Sequence, residues 1–390
     1  MQIHAHRLAA LAIGLASSLA IAAVSSTNTR PQLSSTSAAT YTQAKYLAQT
    51  GTLGSLTTDN WNPSSVATGT AKFKVAKDGT GTHGTVQAAI NAAVLTGGSS
   101  RIYISVAPGT YTEVVCVPSS APPITLFGTS SDAAHAVITY NNSNLTPKSS
   151  GTATSACAGN ASATTVGTAG SATFTTLAKS FEARNLTIKN SYVEGSYSGS
   201  NQAAIALSVR GDKSAFQNIR VIGNQDTLYI GSGSYTTKIR AYFKASFIQG
   251  DMDFIFGHGT AVFTGCYIQY TASRLGSSGI GFIFAPSTRP ANSYGFLVTS
   301  STLNSSSSTI SNQIYLGRAW DEGVGSLSAY VNGTSPNGQL VIRDSTITGH
   351  IRKTAPWGSS TASRPFCSSS CSYSTNRFFE YNNSGAGNGG

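Results

Sequence analysis

The chain has 390 residues, with 14 Asp or Glu against 25 Lys or Arg and a formal net charge of +11. Acids so few and so dispersed exclude a calcium cage of carboxylates, and the positive balance suits an acidic partner. Gly numbers 40 and Ser and Thr abound, while Ile, Val, Phe and Tyr recur in short runs, which favours an all-β protein of short strands joined by turns.

From Met1 to about Ala23 the chain opens with His and a single Arg7, runs through Leu8 to Leu15 and reaches Ala20-Ile21-Ala22. This predicts a cleaved signal peptide over residues 1–23 and a secreted, extracellular protein; the apolar run is too short to anchor it in a membrane. Residues 24–69 are rich in Ser, Thr, Ala and Asn with little apolar periodicity, which predicts a flexible leader holding at most one short helix near Tyr41 to Gln49. Residues 70–390, roughly 320 in number, can bury one large core, and no second domain announces itself. Within them Gly84 to Val94 has helical apolar spacing with Thr85 as N-cap, a short N-terminal helix suited to capping the open end of a strand stack.

Further along, a small residue followed by a β-branched or apolar strand recurs at Asn185, Asn218, Ser246, Cys266, Ser301 and Ser345. The successive spacings of 33, 28, 20, 35 and 44 describe coils of about twenty residues with loops of different length. The architecture this predicts is a right-handed parallel β-helix, with the small residues stacked in a ladder. A β-sandwich is the competing architecture.

Five cysteines stand at 116, 157, 266, 367 and 371. In an oxidising compartment Cys367 with Cys371 and Cys116 with Cys157 are the reasonable bridges, leaving Cys266 as a buried thiol. No Cys/His spacing resembles a metal site. The densest chemistry lies in Gln225-Asp226-Thr227-Leu228-Tyr229, Gly250-Asp251-Met252-Asp253-Phe254-Ile255-Phe256-Gly257 and Leu316-Gly317-Arg318-Ala319-Trp320. A carboxylate among apolar and aromatic neighbours is costly unless partnered, so Asp253 reads as a working group with Arg318 as its counter-ion. The competing reading is a structural Asp–Arg pair. Asp251 is expected to face solvent.

These blocks, together with Pro108-Gly109-Thr110-Tyr111, Phe181 to Asn190, Gln202-Ala203-Ala204-Ile205-Ala206-Leu207 and Arg377 to Gly387, occur in an order that resembles the pectin methylesterases from about Phe73 to Gly387. The resemblance implies a secreted β-helical aspartyl esterase that hydrolyses methyl esters of homogalacturonan to methanol and de-esterified pectin. It further implies Asp253 as nucleophile, Asp226 as general acid and base, Gln202 and Gln225 as oxyanion donors and Arg318 as orienter of the nucleophile. Trp320, Tyr229 and Phe254 are implied as substrate-binding residues. No metal or cofactor is expected, and the expected partner is pectin, bound by a monomer, without nucleic acid or membrane. Ala319 stands where the family commonly has Pro, and His258 where it often has an acid.

Other readings make different demands. Gly257-His258-Gly259 is similar to a short polygalacturonase motif, but the chain has no Asn-Thr-Asp and no Asp-Asp. A non-catalytic pectin-binding protein would release no methanol. An acyl-thioesterase of the same family would need a groove less suited to sugars than one containing Trp320.

Overall fold

The computed structural model describes residues 30–149, 151–158, 162–276, 279–363 and 377–389. Three sheets of parallel strands, with ten, eight and seven members, run side by side along the molecule. Each turn of the chain gives one strand to each sheet. Ser214–Gln217, Arg220–Ile222 and Leu228–Ile230 make one coil, and Arg240–Lys244, Phe247–Gly250 and Ile255–Gly257 make the next. The fold is the expected right-handed parallel β-helix, whose hydrogen bonds run from coil to coil.

Stacking in register puts like above like. Ile138, Ile188, Val221, Ile248, Ile268, Leu303 and Ile347 form one inward row of the eight-stranded sheet, all buried. Phe216, Phe243 and Phe263 stack on successive coils of the ten-stranded sheet with centroids 4.6 and 5.1 Å apart. Branched and aromatic side chains suit this pleated, fully buried surface, which is why short apolar runs became strands.

The corner between the ten- and eight-stranded sheets has a common solution. Asn185, Asn218, Ala245, Gly265, Ser300, Asp344 and Asn382 all have φ between 46° and 61°. A single left-handed residue bends the chain from one sheet into the next. The expected small-residue ladder therefore needs correction: from Ala245 onward the corner lies one residue before Ser246, Cys266, Ser301 and Ser345. Those four form a separate row just past the bend. The Ser246, Ser301 and Ser345 hydroxyls each donate to the carbonyl two residues back, at 2.9, 2.9 and 2.7 Å. Cys266 occupies the same row as a buried free thiol, as expected. Cys116 and Cys157 form a disulfide, whereas the suggested Cys367–Cys371 bridge, like residues 1–23, lies outside the described residues.

The expected capping helix spans Val86–Thr96, with the Thr85 hydroxyl accepting from the Ala88 amide and Val86, Ala89, Ile90 and Ala93 buried. Glu113 fixes its first turn by accepting from the Val86 and Gln87 amides at 2.8 and 2.9 Å. A carboxylate there also favours the positive end of the helix dipole.

The flexible leader is not what the structure shows for residues 30–69. Helices Ser35–Ala38 and Gln43–Leu47 and the hairpin of Gln49–Thr52 with Ser55–Thr58 form a strap across the ten-stranded sheet. Leu33, Ala38, Tyr46 and Leu47 cover an outward stripe of Tyr242, Val262, Leu297, Val341 and Phe379. That stripe, in register over five coils, is too apolar to leave in water. Wholly buried Arg240 locks the strap by donating to Asp59, Asp212 and the Leu47 carbonyl. Arg30 makes a bidentate pair with Glu380 on the last strand, both distances 2.7 Å. The leader was misread because its few apolar residues are spaced to match this stripe and follow no single helical or strand period.

Gly265 offers a clean test of the corner: a Cβ there would meet nothing within 4 Å, but its φ is 61°. Gly265→Ala should lower stability by about 1 kcal/mol and Gly265→Asn by less, measured by chemical denaturation.

Candidate active site

The outward row of the seven-stranded sheet runs through Ser208, Tyr229, Phe256 and Ala285 in register. Strand alternation turns Leu228 and Ile255 into the core and this row outward. With Arg318, Trp320 and flanking loops it forms the floor of an open cleft of about 560 Å³.

Asp226 and Asp253 stand at the entry to this sheet, each two residues before its strand partner Leu228 or Ile255. They occupy the same corner of successive coils, and the Asp226 amide donates to the Met252 carbonyl at 3.0 Å. Both residues are left-handed, with φ of 62° and 48°. Asp is among the side chains that tolerate this region, and strain held at a cleft is a mark of function. Gly257 completes the motif for a steric reason: its φ is 123° and a Cβ would lie 2.1 Å from the Ile230 carbonyl oxygen.

Arg318 grips Asp253 with both prongs, Nε to Oδ1 at 2.9 Å and Nη2 to Oδ2 at 2.7 Å. This planar, bidentate match fixes the carboxylate's orientation. Burial opposes the Arg318 charge, but Asp253, with smaller contributions from Asp226 and Asp321, outweighs it and raises the pKa of Arg318. Among the described residues Asp226 has no such partner. Burial of its carboxyl, and next the charge of Asp253, push its pKa well above the usual carboxylate range, against the weaker pull of Arg318. A carboxyl with a raised pKa thus stands beside another that an arginine holds in place, the division of labour that acid–base chemistry needs.

The remaining expected residues divide. Tyr229, Gln225 and Trp320 line the cleft, and Trp320 packs against Phe256 with ring centroids 5.7 Å apart. Phe254 does not: it is wholly buried in the core, and Phe256, two residues on, is the motif's aromatic face toward the cleft. Gln202 is also absent from the cleft lining. Its Oε1 accepts from the Tyr192 hydroxyl and the Gly195 amide, and its Nε2 donates to the Gly199 carbonyl. Its neighbour Asn201 lines the cleft instead and accepts from Gln225 Nε2 at 2.9 Å.

Asp251 does not face solvent. It is fully buried and accepts from Arg274 Nε and Nη2 at 2.6 and 2.7 Å, with Glu194 3.3 Å from the same guanidinium. A later loop supplies Arg274, so the chain before Asp251 gave no sign of the pair.

A second network was not foreseen. The Tyr229 hydroxyl donates to Glu322 Oε1 at 2.9 Å, and Glu322 Oε2 lies 2.6 Å from His258 Nδ1. The Ser232 amide donates to His258 Nε2 at 3.0 Å, so the imidazole proton belongs on Nδ1. Burial and then Glu322 raise the Tyr229 pKa, keeping it a neutral donor. The signal in the sequence was His258, one residue beyond Gly257, and Glu322, two beyond Trp320.

The pectinesterase family profile matches residues 72–165 and 136–389. The chain belongs to the pectinesterase family. A pectinesterase of Ralstonia nicotianae is 61% identical over 371 residues, spanning 94% of this chain and 93% of that one. The structure of rice weevil pectin methyl esterase superposes with a TM-score of 0.79 at 36% identity, covering 94% of this chain and 99% of the other. A D178A mutant of a pectin methylesterase in complex with a hexasaccharide superposes with a TM-score of 0.64 at 27% identity, covering 82% and 91%. This pectinesterase is therefore a carbohydrate ester hydrolase on the fold its relatives share.

The electrostatics of the cleft predict a stability cost at Asp226. Its pKa is raised on folding, so above the ordinary carboxylate range the unfolded chain loses a proton that the folded chain keeps, and stability falls as pH rises. Asp226→Asn should raise the melting temperature at neutral pH by a few degrees, with the gain vanishing at pH 3, as followed by calorimetry.

Proposed function

We propose that this cleft hydrolyses methyl esters of homogalacturonan, with Asp253 as nucleophile and Asp226 as acid and then base. The observation that carries the reading is the Arg-held Asp253 carboxylate beside the raised-pKa Asp226 carboxyl. An Asp253 oxygen adds to the ester carbonyl, giving a tetrahedral oxyanion. The intermediate collapses with cleavage of the bond to the methoxy oxygen, which takes the Asp226 proton and departs as methanol. Water then gives its proton to Asp226 and its oxygen to the acyl carbon, freeing the uronate and restoring Asp253.

Gln225 is the oxyanion donor best supported by its place in the cleft lining, and Asn201 orients its amide. Gln202 acts behind it by holding the 195–202 loop. Trp320, Phe256 and Tyr229 give the sugar ring an aromatic surface with a polar edge. Residues 1–23 and the net charge of +11 support secretion toward a polyanionic substrate.

Methanol release from methyl-esterified homogalacturonan tests the reading directly. Asp253→Asn should abolish it with melting behaviour little changed, since the amide keeps the shape but cannot form the acyl intermediate; normal release by this variant would overturn the assignment. Gln225→Ala should lower kcat by about 10²–10³, and Gln202→Ala by clearly less.

The pH–rate profile supplies a second check. Activity depends on protonated Asp226, so it should fall as pH rises through that raised pKa. Arg318→Lys keeps a charge but loses the fork that fixes the Asp253 carboxylate, and it should cut kcat sharply.

A further inference from the structure

The strap covers the outside of the ten-stranded sheet and the cleft lies on the seven-stranded one. The outside of the eight-stranded sheet carries neither. Strand alternation turns two of its rows outward in register: Arg220, Phe247, Tyr267 and Thr302 in one, and Lys189, Ile222, Gln249, Gln269 and Asn304 in the other. Phe247 and Tyr267 stack with ring centroids 5.9 Å apart, Arg220 lies 5.1 Å over the Phe247 ring, and Tyr267 is 42% exposed. These three border a shallow concavity of about 390 Å³ at the corner of the coils. Its one acid, Asp132, is engaged by the Ala134 amide at 2.8 Å and by His135. The Arg220 and Lys189 side chains have no hydrogen-bond acceptor or acid among the described residues.

Further along the same face a second concavity, of about 310 Å³, opens between the loop that follows Thr302–Ser305 and residues Thr348 to His350. Two of the residues lining it have a buried atom with no hydrogen-bond partner among the described residues, Asn304 Oδ1 and His350 Nε2. The other end of each side chain is tied. Asn304 Nδ2 donates to the Tyr267 hydroxyl, which joins the two concavities, and His350 Nδ1 meets the Thr348 hydroxyl at 3.0 Å. His350 is 2% exposed, and burial lowers its pKa to about 4, so it works as a neutral hydrogen-bonding group. Buried polar atoms left unmet are costly, and a hydroxyl group, which both donates and accepts, suits either of them. Ser305, Ser307, Ser311 and Thr348 complete the lining, with no charged side chain.

We propose that the outer face of the eight-stranded sheet, from Arg220 to His350, is a second saccharide-binding surface that holds homogalacturonan without cleaving it. Ring stacking from coil to coil serves the fold, but it accounts neither for the unmet Asn304 and His350 atoms nor for two cations without acceptors. A polyhydroxylated chain meets the first need, and its uronate carboxylates meet the second, in keeping with the net charge of +11. Exposed Tyr267 adds an apolar ring with a polar tip between the two concavities. Asp132 is the only acid lining either concavity, so the surface has no carboxyl pair for ester cleavage. The choice of homogalacturonan rests on the esterase reading of the cleft; the chemistry of the surface does not.

The test is calorimetric titration with de-esterified homogalacturonan oligomers, which leave the esterase nothing to hydrolyse. Binding should persist in Trp320→Ala, which impairs the cleft, and weaken by about tenfold or more when Tyr267→Ala and Arg220→Gln are added to it. Binding that this added pair leaves unchanged overturns the proposal. A neutral glucan of equal length should bind the Trp320→Ala protein about tenfold more weakly than the uronate oligomer, since it gives Arg220 and Lys189 no acceptor; equal binding overturns the choice of homogalacturonan. Hydrogen exchange on the wild type needs no variant and so stands even if the substituted proteins unfold. The oligomer should slow exchange in the loop 305–311 as well as around the cleft, and slowing at the cleft alone overturns the proposal. A wild type that passes these tests but releases no methanol from methyl-esterified homogalacturonan sinks the esterase reading and leaves the surface standing, whereas an active wild type that fails them sinks only the surface.

Discussion

The site depends on one constraint: successive coils stack in register at a repeat of about 4.8 Å, so residues a whole coil apart in sequence become neighbours. Asp226 and Asp253 occupy the same left-handed corner on adjacent coils. From this juxtaposition the rest follows. Burial, and next the charge of Asp253, raise the pKa of Asp226, while Arg318 holds the Asp253 carboxylate by both oxygens. Arg318 reaches Asp253 because a further coil supplies it from the same face.

The same stacking that builds the cleft leaves debts on the other faces, and they are met by different means. The apolar stripe on the ten-stranded sheet is covered by the strap of residues 30–66, and the open end by the helix Val86–Thr96. Arg240, wholly buried, is stabilised by two carboxylates that converge from the strap and from the preceding coil. Its hydrogen bond to Asp59 is the chief reason that the Asp59 carboxyl sits far below its ordinary pKa. Removing one partner of such a cluster leaves a buried charge uncompensated, so the strap is held by more than its apolar contacts.

The sequence was legible where chemistry forces a residue type. Asp253 and Arg318 could be named from a carboxylate in an apolar setting that needs a counter-ion, and Asp226, Gln225 and Trp320 from the resemblance of their blocks to the pectin methylesterases; all five line the cleft. Phe254 was misplaced because the backbone bends at Asp253, with φ of 48°, and the two-residue alternation has to be counted afresh from the strand that begins at Ile255. Asp251 was misread because its partner Arg274 comes from a loop of the next coil, after the strand Tyr267–Tyr270. The strap was illegible for a related reason: Leu33, Ala38, Tyr46 and Leu47 have meaning only against a stripe assembled from five separate coils. Ala245 and Ser300 hid the corner position because neither residue type advertises a left-handed bend, whereas Asn185, Asn218 and Gly265 do.

The pairing of Arg30 with Glu380 joins residues 350 positions apart. A chain emerging from the ribosome can lay each coil on the one before it, since those contacts are close in sequence. The strap has no such option. Its docking stripe includes Val341 and Phe379, on the last strands to be made. The earliest-synthesised part of the described chain must therefore wait, uncommitted, while the stripe grows bare beside it, and it settles only when the final coil is in place. Long-range closure of this kind is slow, and it exposes an apolar strip to other chains in the interval. For this protein, then, the hazardous moment is the end of folding, when a finished coil stack still lacks its belt.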